Sequence, residues 1–138
     1  MPNINEPVIN ISFGEGLNAF GNQSMLINPI VSIHTKYSPS VLSFAVVIVV
    51  SNFKNTDSSS PHSLHAKLYS AKNEEDSPLQ FINNDQINNI PSSNLRLNWN
   101  LNNIDFKEPG EYIVECTFDG TTKKESFFIE ADNILKQD

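Results

Sequence analysis

His62 and His65, in the run PHSLH, stand three residues apart with Asp57 nearby, and imidazole and carboxylate donors of this kind can share a metal ion. A protein metal site takes three or four ligands, and strands project same-face neighbours at period two, so this spacing argues for a solvated loop. Glu74, Glu75 and Asp76 supply clustered oxygens of the sort calcium uses, but without the Asp-x-Asp-x-Asp-Gly layout they read as a solvated turn. Ser58, Ser59 and Ser60 lie close to His62, yet there is no Gly-x-Ser-x-Gly elbow to hold a nucleophile still. The glycine-rich FGEGLNAFG, residues 13–21, lacks the Lys-Ser/Thr pair of a phosphate loop and leads into no helix. It reads as a flexible or bulged crossing anchored by Phe13, Leu17 and Phe20. Cys116 alternates with Val114 and Phe118, which marks a buried and unreactive thiol, and His34 lies opposite Val31 and Ile33 as a surface or edge residue. No catalytic, cofactor-binding or metal-ligating residue is assigned.

The elements that carry these residues are short runs of strand character bounded by Pro, Gly, Asn, Asp and Ser. Pro7–Phe13 alternates weakly, as an edge strand does, and Ile30–Lys36 forms a second strand. Val41–Val50 (VLSFAVVIVV) is apolar at almost every position, as expected of a strand covered on both faces. His65–Ser70 alternates, and Leu79–Ile82 follows the acidic turn. In Leu95–Leu101 (LRLNWNL) the residues Leu95, Leu97, Trp99 and Leu101 share one face, which predicts Trp99 as a core residue. Tyr112, Val114, Cys116 and Phe118 share a face of the next strand, and Asp119-Gly120 supplies the positive φ values of a tight hairpin turn. A two-residue loop there sets Tyr112 across from Phe127, with Phe127 and Ile129 pointing inward. No amphipathic helix of three turns is visible. The pattern predicts an all-β, immunoglobulin-like antiparallel β-sandwich of seven to eight strands in a single domain, residues 1–138. Its core falls at about residues 30–131, with an N-terminal strand and glycine-rich crossing at 7–29.

Composition narrows the function. With 9 Lys and Arg against 16 Asp and Glu, the net charge of −7 opposes a phosphate-binding surface, so nucleic acid is excluded as a partner. The most apolar run is about half the length a membrane-spanning helix needs, which excludes a membrane role. One cysteine permits no intramolecular disulfide, and the start MPNINEPVIN lacks the basic and apolar regions of a secretory signal. The expected location is the cytoplasm.

The segment LNNIDFKEPGEYIVECTFDG, residues 101–120, resembles the end of many bacterial immunoglobulin-like and fibronectin-like sandwich domains, with Pro109, Gly110 and Tyr112 carrying the match. The resemblance implies that the Tyr112 hydroxyl bonds back to the main chain near the corner. The order of SFAVVIVV, HAKLYSAKNEE and the Leu-Trp strand is also similar to a family of uncharacterised bacterial sandwich proteins with no established activity. The likeness spans roughly residues 30–131. Antibody-type domains carry a cysteine two residues after the corner tyrosine, whereas Cys116 lies four after Tyr112, which sets this chain apart from cell-surface receptors.

The expected function is therefore a non-enzymatic protein–protein interaction module, with no cofactor, that contacts partners through the loops Ser51–Ser63 and Asn83–Asn94 and self-associates through its N-terminal edge strand. The alternative is a small-molecule-binding or hydrolytic barrel with His34, His62 or His65 at its mouth, which requires those side chains to converge with carboxylates in one concavity.

Overall fold

Alternating apolar side chains commit this chain to strands, and a computed structural model describes them over residues 6–20, 23–53, 61–72, 78–88, 90 and 92–135. In chain order these are β1 (Val8–Phe20), β2 (Gln23–Pro29), β3 (Ser32–Ser38), β4 (Ser40–Ser51), β5 (His62–Ser70), β6 (Gln80–Asn83), β7 (Gln86–Ile87), β8 (Leu95–Phe106), β9 (Gly110–Phe118) and β10 (Thr121–Ile134). One sheet runs β2-β1-β4-β8 and the other β3-β10-β9-β5-β6, with β7 paired to β5. The fold is all-β, with two sheets that share one apolar core. Two sequence expectations change. The described residues form ten strands, because the glycine-rich segment continues β1 and because β6 and β7 divide the Asn-rich stretch. The pairing is not wholly antiparallel either, since β3 runs parallel to β10, Ser32 beside Phe128 through Ser38 beside Ile134.

The glycine-rich segment is not a bulged crossing. β1 pairs with β4 from Val8 to Gly14 and with β2 from Gly14 to Phe20, so one strand serves two partners in succession. Gly14 stands at the handover because β2 crosses closely there: a Cβ at this position would lie 2.5 Å from Leu26 Cγ and 2.8 Å from the Ile27 carbonyl oxygen. Ile9, Ile11 and Phe13 are buried, so the N-terminal strand belongs to the core instead of lying outside residues 30–131. Of the expected anchors, Phe13 is in the core and Leu17 is half-buried, while the side chain of Phe20 lies outside the described ones.

Five aromatic rings join the sheets. Phe127 on β10 sits 5.0 Å from Phe13 on β1 and 5.0 Å from Phe44 on β4, with Phe106 at 6.2 Å and Tyr112 at 6.1 Å. Each buried phenylalanine contributes roughly 1.5–3 kcal/mol by leaving water, and tilted or edge-to-face pairs add about 0.5–1.5 kcal/mol. β4 carries the sheet above them, and Phe44 through Ile48 are all buried, as a strand covered on both faces requires.

β8 aligns Leu95, Leu97, Trp99 and Leu101 opposite Val50, Ile48, Val46 and Phe44. Trp99 is nevertheless only half-buried, packed against the core from β8, which ends the strand order of its sheet. Beyond Leu101 the register slips, with Leu42 opposite Ile104, so three steps on β8 match two on β4. Asn103 absorbs the extra residue with φ 57° and its amide donates to Ser43 Oγ at 2.9 Å, which returns Ile104 and Phe106 to the core.

The β9–β10 hairpin turns at Asp119 (φ 45°) and Gly120 (φ 88°), and Tyr112 pairs with Phe127. Tyr112 donates its hydroxyl proton to the Glu108 carbonyl four residues upstream, closing the corner around Pro109 and Gly110. Cys116 is fully buried, and burial pushes its thiol up to about 11. Tyr112→Phe is expected to lower stability by about 1 kcal/mol, the usual net worth of one hydrogen bond, and to leave the fold unchanged in chemical denaturation followed by far-ultraviolet circular dichroism. Iodoacetamide is expected to leave Cys116 unlabelled in the native chain and to label it in urea, read by intact mass; prompt native labelling would contradict the burial.

Candidate functional site

The three histidines occupy three separate places. His62 lies inward on β5, stacked on Phe118 at 5.3 Å and edge-on to Phe53 at 5.0 Å, and its Nδ1–H donates to Asp119 Oδ2 at 2.6 Å. The same carboxylate accepts from the Ser63 amide at 2.9 Å, so the β9–β10 turn is fastened to the start of β5. His65 points to the opposite face of that strand, where its Nδ1 meets Asn84 Oδ1 at 2.6 Å. His62 and His65 therefore cannot share a metal, and no group of three potential ligands exists among the described residues. His34 lies on the edge strand β3 with Nε2 at 2.7 Å from Asp132 Oδ1 and Nδ1 at 3.7 Å from Glu130 Oε2, all three side chains exposed. The histidines do not come together: His34 meets its two carboxylates on an exposed edge, His62 meets Asp119 inside, and His65 shares a groove with Glu115.

Asp57, the serines 58–60 and the acidic turn 74–76 lie outside the described residues. Within the two expected contact loops, His62 and Ser63 belong to β5, Gln86 and Ile87 form β7, and Ile90 is buried in the core, so these described residues belong to the framework.

Sequence reasoning passed over the outer face of the second sheet. Residues out of phase with the core on β5, β9 and β10 line up there as rows: His65, Thr117 and Thr122; then Lys67, Glu115 and Lys124; then Tyr69, Ile113 and Ser126. Glu115 is buried and ringed by Lys67 Nζ at 3.6 Å, Lys124 Nζ at 3.5 Å and the Tyr69 hydroxyl, which donates to it at 3.3 Å. Burial and the Glu115 charge push the Tyr69 phenol above its ordinary value. Beside this row lies an open groove of about 290 Å³ between His65, Lys67, Phe81, Asn84 and Thr117. Its carboxylate is already neutralised by two lysines and its imidazole already held by an amide. The arrangement ties three strands together and leaves little unmet chemistry.

The β1–β2 hairpin differs. Past Gly14, β1 leaves β4 and pairs with β2 alone, so the two strands run on as a two-stranded arm from the body. β2 ends the strand order of its sheet, and no described strand pairs with its outer edge. Met25 is 55% exposed and Ile27 38%, Leu17 and Leu26 face one another half-buried, and Val31 at the base is 78% exposed. From Gly16 to Ile33 the sequence contains no charged residue at all. That gap in the charge pattern is the signal that locates this surface. The edge expected at the N-terminal strand thus belongs to β2, because β1 lies between β2 and β4.

Asp132 first, and Glu130 after it, hold the His34 imidazolium, so His34 titrates above its ordinary value of about 6.5. A raised folded value means that this pair's stabilisation is complete below about pH 6.5 and is lost as pH rises through the folded value. Asp132→Asn is expected to bring the His34 midpoint back down, followed by the ring proton shift in NMR; an unmoved midpoint would dismiss the pairing.

No curated protein matches this sequence. Among solved structures, the chain is similar to a part of a β-glucosidase from Listeria innocua at a TM-score of 0.50 and 10% identity, covering 94% of this chain and 17% of the enzyme. Structures of that enzyme in complex with isofagomine and with glucose align at TM-scores of 0.45 and 0.46, each at 10% identity over 94% of this chain and 17% and 16% of theirs. This chain thus spans about a sixth of that enzyme's length, and the likeness is one of fold. A family model described as "Family of unknown function (DUF6941)" matches residues 18–129, which is most of the chain, and the protein belongs to that family.

Proposed function

We propose that this protein is a non-enzymatic interaction module, an immunoglobulin-like sandwich that meets its partner through the β1–β2 arm. The observation that carries the reading is the outer edge of β2, an unpaired row of backbone donors and acceptors flanked by exposed Met25 and Ile27 and free of charge. Soluble proteins blunt such edges with lysine, proline, bulges or a covering segment, and β2 has such features only at its end, in Asn28 with φ 48° and Pro29. An edge of this kind binds by strand addition, in which main-chain hydrogen bonds supply affinity and alternate side chains supply selectivity. The immunoglobulin-like assignment draws support from the Tyr112 corner and the terminal hairpin.

A catalytic reading has weaker support, since each histidine is engaged at a separate place and Glu115 is held by two lysines and a tyrosine. The lone buried thiol suits a reducing compartment, and we place the module in the cytoplasm.

The test is a paired affinity capture from native lysate with the wild-type chain and with Ile27→Lys, read by mass spectrometry, after circular dichroism shows that both fold. Partners recovered with the wild type and lost with the variant are expected; partners recovered equally by both would remove the arm as the contact surface.

A further inference from the structure

We infer that the partner at this edge is a second copy of the chain, with β2 pairing antiparallel to β2 of its mate across a two-fold axis. The inference rests on the interaction reading above and adds the identity of the occupant. A strand added antiparallel to its own copy is related to it by a dyad, so each open edge satisfies the other and the assembly closes at two. The two hairpin arms then form one four-stranded ribbon, and their sheets join as β8-β4-β1-β2 followed by the same order reversed.

Charge selects this surface for self-association. Two copies at −7 each repel wherever their charged faces approach, and juxtaposed like charges in an interface cost several kcal/mol. The chain has 9 cationic and 16 anionic residues, yet from Gly16 to Ile33, which takes in the tip of the arm and all of β2, there is none; the arm's one acid, Glu15 at its base, is bonded to the Asn28 amide of β2 at 2.9 Å. Identical chains therefore meet there with less repulsion than at a charged face. A strongly basic partner, the natural complement of an acidic protein, would find a single acid here, Glu15, already bonded to Asn28. Past Gly14 the arm has lateral pairing on one side of each strand only, and a further strand would widen a ribbon that in isolation is marginal in water. Leu17 and Leu26 pair across the arm, and Met25 and Ile27 are exposed on it, so added strands have apolar side chains to cover.

Sedimentation equilibrium on the intact chain is expected to show a dimer, and Ile27→Lys is expected to raise its dissociation constant by about a hundredfold, because the dyad places two ammonium groups in one apolar seam. The buried Cys116 leaves an introduced thiol free to report alone, so Met25→Cys carrying a nitroxide gives an intermolecular spin–spin distance. Two paired strands of this length place the labels within about 20 Å of each other. A wild-type chain that stays monomeric at the highest attainable concentration overturns the self-partner inference, while the interaction reading is still decided by the paired capture. A dimer that Ile27→Lys leaves intact, or whose labels lie far beyond that distance, shows that copies meet elsewhere and overturns it equally.

Discussion

Phe127 is the point at which the two sheets depend on each other. It projects from the middle of β10, the longest strand, whose first half pairs with β9 and whose second half pairs with β3. From there its ring touches Phe13 and Phe44 of the other sheet and lies near Phe106 and Tyr112. Interiors pack at crystal-like density, so one ring held by four others leaves the layers little freedom to slide. The hairpin turn serves this contact. Positive φ at Asp119 and Gly120 sets a two-residue loop, and the loop length places Tyr112 beside Phe127 rather than one residue away, which would turn every side chain on β10 to the wrong face.

That hairpin was legible in the sequence because the turn chemistry and the apolar alternation agreed. Where such signals conflict or stop, legibility ends. On β8 the apolar positions run 95, 97, 99, 101 and then 104, 106, a phase slip that only an inserted residue explains, and Asn103 at positive φ is that residue. Asparagine tolerates the left-handed region, so the abundance of asparagine marks bends inside strands as well as loops between them. Trp99 obeyed the alternation but not its usual meaning, because periodicity tells which face a residue takes and not whether the strand ends its sheet. The parallel pairing of β3 with β10 joins segments almost a hundred residues apart, and no local pattern encodes it. The glycine-rich segment misled through composition: Gly14 is present for close approach by Leu26, within a continuous strand.

The candidate surfaces divide according to how far their own residues satisfy them. On the outer face of the second sheet, Lys67, Tyr69, Glu115 and Lys124 answer one another across three strands, and His65 is met by Asn84. The burial of Glu115 is tolerable only because of that ring of partners, since a buried charge without them costs several kcal/mol. The His62 and Asp119 pair is likewise internal, fastening a turn to a strand under two aromatic rings. In space these groups are engaged with one another across strands and a turn.

The arm shows the reverse, with residues that look inert in the sequence and carry the unmet interactions. Its stretch lacks any charged, imidazole or thiol side chain, and for that reason it attracts no attention when a sequence is read for chemistry. An unpaired strand edge is nonetheless a strong local demand, because each unbonded amide and carbonyl must find water or another chain. Water meets that demand in a charged, twisted or lysine-guarded edge, and it meets it poorly beside exposed Met25 and Ile27. The charge distribution bears on the proposed occupant: β2 itself carries no charged side chain, so an identical acidic neighbour can approach it with less repulsion than at a charged face.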